Sequence, residues 1–260
     1  MNVWITGASS GIGEACARRY ARKGCQLILT SSSSEKLIAV AKECRALGAA
    51  DVFALPFDFS SPYGIEGLAE QAWNAFGNID VLFCNAGVSQ RTTVEDTSMD
   101  MVRKIMEINY FAPVAITKAI LPLMLESGGG KIAVTTSIAA KFGFPLRCGY
   151  SASKHALDGF FETLQAEYSD RGISVTLVCP GRVQTNISLN ALDKGGVKYG
   201  KMDPGQAGGI TADKAAETIL DAIDKGKREV LVGGKELLMV YVKRFFPGLC
   251  AKLGKKVSAV

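Results

Sequence analysis

The stretch Asn2-Val-Trp-Ile-Thr-Gly-Ala-Ser-Ser-Gly-Ile-Gly13 decides the fold. Asn2 to Thr6 reads as a short buried strand. Gly7-Ala-Ser-Ser-Gly11-Ile-Gly13 follows without a spacer, and Glu14 to Lys23 reads as a helix with Gly24 as its C-terminal stop. Strand, glycine-rich turn and helix in that order aim backbone N–H groups and the positive end of a helix at a phosphate. Glycines suit such a turn because a Cβ would hold a pyrophosphate off the backbone. The same pattern also serves an ordinary tight strand-to-helix connection, so the rest of the chain has to decide between them.

Working outward, Cys25 to Thr30 reads as a second strand, leading through Ser31-Ser-Ser-Ser34 into a helix over Glu35 to Leu47 with Ser34 as N-cap. Asp51 to Phe57 reads as a third strand, ended by Asp58. A helix over Gly64 to Phe76, a strand over Ile79 to Cys84 and the turn Asn85-Ala-Gly87 follow. Two helical stretches, Ser98 to Tyr110 and Ala112 to Leu125, meet at Asn109. Pro113 and Pro122 predict a kink or restart near Asn109 and an early end near Pro122.

Gly128 to Gly130 turns into a strand over Lys131 to Thr136, and a helix then carries Tyr150. Gly172 to Cys179 is a strand broken by Pro180-Gly181, Thr211 to Lys227 is an amphipathic helix capped by Thr211, and Arg228 to Gly233 is a last strand. This alternation predicts an α/β fold over residues 1–233. It is a single-domain, Rossmann-like, doubly wound parallel sheet of about seven strands with helices on both faces. The glycine-rich segment 186–210 follows a strand end and reads as a mobile substrate lid. Residues 234–260 read as a basic amphipathic tail.

Composition narrows the class. Of 260 residues 48% are hydrophobic and 21% charged, ordinary for a soluble protein with a substantial core. The net charge of +5 is spread along the chain except at the basic C-terminal end, which argues against a nucleic-acid surface. Seven cysteines, odd in number and without Cys-x-x-Cys spacing, predict reduced thiols in a cytoplasmic protein and no metal site. Neither a signal peptide nor an apolar run of about eighteen residues is visible.

A second stretch carries the chemistry. In Tyr150-Ser-Ala-Ser-Lys154, helical geometry puts Tyr150 and Lys154 one turn apart on a shared face. A phenol titrates near pH 10, and an ammonium beside it would lower that value and make the oxygen a usable proton donor and acceptor. Ser137 lies thirteen positions earlier, at the end of the apolar run Lys131 to Thr136, and its hydroxyl could bond the same substrate oxygen that Tyr150 would protonate. His155, the sole histidine, points away from that face and reads as packed or half-exposed, and Cys148 reads as a small apolar filler.

Together these motifs resemble the short-chain dehydrogenases/reductases over nearly the whole chain. The matching residues are Thr6-Gly-Ala-Ser-Ser-Gly-Ile-Gly13, Asn85-Ala-Gly87, Asn109, Ser137, Tyr150-x-x-x-Lys154 and Pro180-Gly-Arg-Val-Gln-Thr185, in order and at the expected spacing. The resemblance implies that Asn109, Ser137, Tyr150 and Lys154 form a catalytic tetrad, with Asn109 ordering a water that relays protons to Lys154. It implies that Gly7, Ser9, Ser10, Gly11, Ile12 and Gly13 line a dinucleotide pyrophosphate. Asp58 would meet the adenine edge and Asn85 the adenosine ribose. Ala86 and Gly87 would permit close approach. Pro180, Gly181, Val183 and Thr185 would flank the nicotinamide, with Thr185 on its carboxamide.

Ser31, Ser32 and Ser33 occupy the positions that choose the cofactor. An acid there would hold a ribose 2′-hydroxyl and repel a 2′-phosphate, and its absence favours NADP(H) over NAD(H). The family's usual arginines are also absent, and the serines serve equally as loop and cap residues. The expected activity is hydride transfer between nicotinamide and a carbonyl or secondary alcohol, in a homodimer or homotetramer. Alternatives are a 3-oxoacyl-carrier-protein reductase, for which Arg91, Arg147 and Arg182 would supply a basic patch, and a catalytically idle dinucleotide sensor or scaffold.

The tail alternates apolar residues with Lys243, Arg244, Lys252, Lys255 and Lys256. Such a segment lies on an anionic membrane, binds a partner helix, or packs on the core beside the pocket. Its Arg-Phe-Phe-Pro sequence resembles tails of the family's membrane-associated or lipophilic-substrate subgroup. That implies a lipophilic ketone or aldehyde as substrate.

Overall fold

A computed structural model describes residues 1–254. In chain order the principal elements are β1 (Asn2–Thr6), α1 (Gly11–Arg22), β2 (Gln26–Thr30), α2 (Ser34–Ala46), β3 (Asp51–Ala54), α3 (Ile65–Phe76) and β4 (Val81–Cys84). Then come α4 (Met99–Met106), a π turn (Glu107–Phe111), α5 (Ala112–Glu126), β5 (Gly130–Thr135), α6 (Cys148–Tyr168) and β6 (Ile173–Pro180). Last are β7 (Val183–Gln184), α7 (Pro204–Ala207), β8 (Ile210–Thr211), α8 (Ala212–Asp224), β9 (Glu229–Val232), α9 (Leu238–Phe245) and α10 (Pro247–Gly254).

Seven strands form one sheet in the order β3-β2-β1-β4-β5-β6-β9, every pair parallel. Strand order reverses between β1 and β4, and ligands of such sheets bind outside the strand ends at that crevice. The two-residue strand period splits the core. Val3, Ile5, Leu27 and Leu29 face α1, α2 and α8, whereas Trp4, Ile28 and Leu82 face α3, α5 and α6. Both faces of the sheet are therefore covered, as a parallel sheet requires.

Some local expectations need correction. Ser34 is the first residue of α2, and Ser33 occupies the N-cap position without a side-chain bond. The third strand stops at Ala54, although Leu55 N and Phe57 N still donate to Leu29 O (2.8 Å) and Ser31 O (3.0 Å); Pro56 has no N–H to offer. The break near Asn109 is a π turn inside one continuous helix from Met99 to Glu126, not a restart. Pro122 does not end that helix. Its missing N–H would have bonded the carbonyl of Lys118, and both residues sit on the exposed face, so the lost bond strands no buried group.

The span Met99–Glu126 is also long and apolar enough to cross a membrane, although it holds no unbroken apolar run of that length. Here it is a core helix: Ile105, Ile116, Ile120 and Met124 are buried against neighbouring elements. Thr211 caps α8 as expected, its hydroxyl accepting from Lys214 N at 3.2 Å. The tail folds into α9 and α10, while Lys255 and Lys256 lie outside the described residues.

Candidate active site

One large cavity, of about 1050 Å³, opens at the C-terminal ends of the central strands. Gly7, Ser9, Ser10, Gly11 and Ile12 line one part of it, where α1 begins. The first N–H groups of a helix have no intrahelical acceptor, and the side chain of the N-cap residue Ser10 makes no capping bond to them. Gly7 and Gly11 have φ of +66° and +60°, and a Cβ on Gly7 would stand 2.8 Å from Ala86 Cα. This open cradle of backbone donors fits a dinucleotide pyrophosphate.

Gly13 is placed differently from Gly7 and Gly11. It does not reach the cavity but lies beneath the turn, where a Cβ would stand 2.3 Å from Gly7 O. Its smallness permits close packing of helix on strand instead. Asn85 lines the cavity, yet its amide is committed: Nδ2 donates to Thr6 O and Gly7 O at 3.2 and 3.3 Å, and Oδ1 accepts from Thr135 Oγ1 at 3.0 Å. That clamp ties β1, β4 and β5 together under the turn.

Ser31, Ser32, Ser33 and Asp58 line the same cavity, as do Ala86 and Gly87. Ser31 is buried and accepts Ser33 N, so it shapes the loop. Lys36, on the first turn of α2, lines the cavity too and was not anticipated. It places a cation beside the serines. Its signal in the sequence was present: a base two residues after the serine run, where helical geometry returns it to the loop.

At the other end Ser137, Tyr150 and Lys154 converge on the cavity, with Pro180, Gly181, Val183 and Thr185 beside them. Burial raises the Tyr150 phenol above its usual value, against a hydrogen bond from Ser137 and the charges of Arg147 and Arg91. This corrects the expected pairing. Lys154 Nζ stands 5.8 Å from the centroid of the Tyr150 ring and donates to Thr135 O at 2.7 Å. Burial also brings the Lys154 ammonium down to about 8, with Asp158 opposing. Desolvation is thus the largest influence on both groups.

Asn109 is fully buried and stands behind the cavity wall. Its Oδ1 accepts from Val88 N at 2.8 Å, and its Nδ2 donates to Val88 O and Ser153 Oγ at 3.0 Å each. The amide therefore fixes the loop after β4 against α6, and π turns of this kind are frequent at functional sites. His155 is exposed rather than packed. Cys148 is no apolar filler, since its thiol takes part in hydrogen bonds with Gln90 and Thr97.

Two features of the substrate end lay beyond the motifs. Gln90 is fully buried, and its Oε1 accepts the N–H groups of Gly149 and Tyr150. Asp203, in the segment after β7, receives Arg91 Nε, Ser188 Oγ and Arg147 Nη2 at 3.1, 3.0 and 3.1 Å. The two guanidinium groups hold its carboxyl below the usual range although burial acts the other way. Leu146, just before Arg147, has φ of +61°, a strained conformation for a non-glycine residue. Backbone bonds Arg91 N to Leu192 O (2.8 Å) and Leu192 N to Ser89 O (2.9 Å) fasten the same segment.

Comparison with known proteins agrees with this geometry. The family model described as short chain dehydrogenase matches residues 1–194. The chain is 40% identical over 251 residues to a Mus musculus protein named dehydrogenase/reductase SDR family member 7B, covering 95% of this chain and 78% of that one. It is 38% identical to the Drosophila melanogaster dehydrogenase/reductase SDR family protein 7-like, with 96% and 77% covered. A short chain dehydrogenase/reductase from Burkholderia phymatum in complex with NAD superposes with a TM-score of 0.84 at 26% identity, over 95% of this chain and 94% of that one. An alcohol dehydrogenase from Thermococcus sibiricus complexed with 5-hydroxy-NADP gives 0.77 at 29% identity, over 90% and 96%.

Proposed function

We propose, from the premise that this chain belongs to the short-chain dehydrogenase family and is an oxidoreductase of it, that it prefers NADP(H) and reduces a lipophilic ketone or aldehyde. The observation that carries this reading is the convergence of Ser137, Tyr150 and Lys154 on the cavity into which the glycine-rich start of α1 opens. Ile138, Phe142, Phe144, Ile187, Leu192 and Met239 line it as well, an apolar surface suited to a lipophilic substrate.

The cofactor supplies the hydride and the chain supplies position and charge. Ser137 and Tyr150 hold the carbonyl oxygen by hydrogen bonds as negative charge builds on it, and Tyr150 Oη gives it a proton. Lys154, close to 8 and so still charged at neutral pH, holds the ribose hydroxyls and favours the phenolate left behind. Asn109 is a positioning residue, and any water feeding Lys154 would bind to the backbone loosened by the π turn rather than to its committed amide. Ser32, Ser33 and Lys36 favour a 2′-phosphate because hydroxyls and a cation occupy the cofactor-choice positions in place of an acid, with Asp58 left for the adenine edge.

The oligomer is a homodimer or homotetramer built on the outer faces of α5 and α6, in the cytoplasm with its tail in peripheral contact with membrane. Carrier-protein recognition is disfavoured because Arg91 and Arg147 are drawn into the Asp203 cluster, leaving Arg182 exposed. The test is NADPH against NADH oxidation with ketones, aldehydes and acyl thioesters. Fastest NADPH consumption with apolar ketones or aldehydes supports the reading. Fastest consumption with thioesters points to the carrier-protein reductase, and binding without consumption points to the idle sensor.

A further inference from the structure

The C-terminal hairpin of α9 and α10 has two apolar faces, and among the described residues only one of them is covered. Leu237, Met239, Val240, Val242 and Cys250 pack on Ile138, Phe142 and Phe144, beside the catalytic Ser137. Met239 lines the cavity itself. On the outer side Leu238, Tyr241 and Phe245 recur at i, i+3 and i+7, and Phe246, Leu249 and Leu253 extend the surface along α10. These six side chains stay exposed, from 37% at Leu253 to 68% at Phe245. A contiguous stripe of this kind differs from the singly scattered apolar residues of an ordinary surface and marks a contact with something else.

Charge identifies the contact. Lys243, Arg244 and Lys252 flank the stripe, and α9 and α10 contain no acidic residue. A second copy docked face to face would bring the same cations against each other, since a two-fold interface pairs a patch with itself. An anionic phospholipid surface complements both features, taking the stripe into its acyl boundary and the cations among its phosphates. The inner face of the same helix borders the cavity, so the docked hairpin would set the cavity mouth next to the lipid.

We propose that the outer face of α9 and α10 docks the enzyme on an anionic bilayer, from which a lipophilic carbonyl substrate passes along α9 into the cavity. The inference rests on the lipophilic-substrate reading above. Its test uses the full chain, floated with vesicles of phosphatidylcholine alone and of phosphatidylcholine with an equal part of phosphatidylglycerol. The wild type should bind the anionic vesicles preferentially and be released by salt. Lys243→Ser and Arg244→Ser should each weaken binding about fivefold, the worth of one cation at such a surface. Phe245→Asp with Phe246→Asp should weaken it at least about tenfold.

None of these side chains lines the cavity, so turnover of a water-soluble ketone should be unchanged, while turnover of a bilayer-dissolved ketone should fall with binding. Intact turnover of the soluble ketone without vesicle binding would overturn the docking and leave the reductase standing. Vesicle binding with no turnover of any carbonyl would overturn the reductase reading and with it the passage of substrate. Equal binding to both vesicle types would overturn the electrostatic argument. A dimer that dissociates in the Phe245→Asp, Phe246→Asp protein, without vesicle binding, would assign the face to a second copy and overturn the proposal.

Discussion

Gln90 Oε1 accepts the backbone N–H of Tyr150 at 3.2 Å across 60 positions of chain, and that of Gly149 at 2.9 Å. A loop beyond β4 thereby caps the helix that carries the proposed proton donor, in place of a cap from α6's own N-terminal residue. Gln90→Leu should cost about 1–3 kcal/mol in chemical denaturation, because it leaves buried N–H groups without an acceptor. It should also lower kcat more than it raises KM. Gln90→Glu keeps an acceptor and should recover most of the lost kcat, which a merely space-filling role would not produce.

Lys154 carries a folded-state value of about 8, below the 10.5 of a free lysine, because burial opposes its charge. The native state therefore binds fewer protons than the unfolded chain between those values, and stability rises with pH across that interval. The penalty is fully present below about pH 8 and is relieved towards 10.5. Lys154→Met removes a penalty of order 3 kcal/mol and loses one hydrogen bond to Thr135 O, about 1 kcal/mol. The variant should be inactive, yet more stable than wild type by about 1–2 kcal/mol at pH 7, with the gap closing as pH rises. Paired denaturation curves at pH 7 and 10 check the sign.

The same lysine sets a kinetic limit. Its charged form is the useful one, so kcat/KM for reduction should fall as pH rises through about 8 in the free enzyme. A profile flat to pH 10 would remove Lys154 charge from the account.

Gly13→Ala should cost about 1–3 kcal/mol, because its Cβ would stand 2.3 Å from Gly7 O and 2.6 Å from Asn85 Nδ2. Cofactor affinity should fall along with stability, since the displaced Gly7 turn lines the cavity. Calorimetric titration with NADPH and a melting curve on the same sample read both effects.

Lys36→Glu should shift the ratio of kcat/KM for NADPH over NADH downwards by roughly tenfold, about 1.4 kcal/mol. It places an acid where a 2′-phosphate would lie and leaves the chemical end of the cavity untouched. An unchanged ratio would assign cofactor choice to Ser32 and Ser33 instead.

Much of the fold was legible because strand and helix periods differ and glycine marks the joints. Val3, Ile5 and Trp4 alternate between the two cores as a strand should, and Gly7 and Gly11 have the positive φ their places in the turn suggest. The failures have a common cause. Pro122 reads as a helix end until Lys118 is seen to face water. Asn109 and Gly13 carry motif positions but act from behind the wall, and a spacing cannot tell a lining residue from its support. Gln90, Asp203 and Lys36 were missed because each acts through a partner distant in the chain or a helical turn away. The spacing of Tyr150 and Lys154 said nothing of how deeply each is buried, and desolvation is the largest influence on both groups.

The central claim is that Tyr150 gives the proton. The direct measurement is single-turnover reduction of a responsive ketone by Tyr150→Phe, beside NADPH affinity by titration. The account predicts a loss of at least about a hundredfold in the chemical step, with NADPH affinity within about threefold of wild type. Equal rates in the two proteins would contradict it.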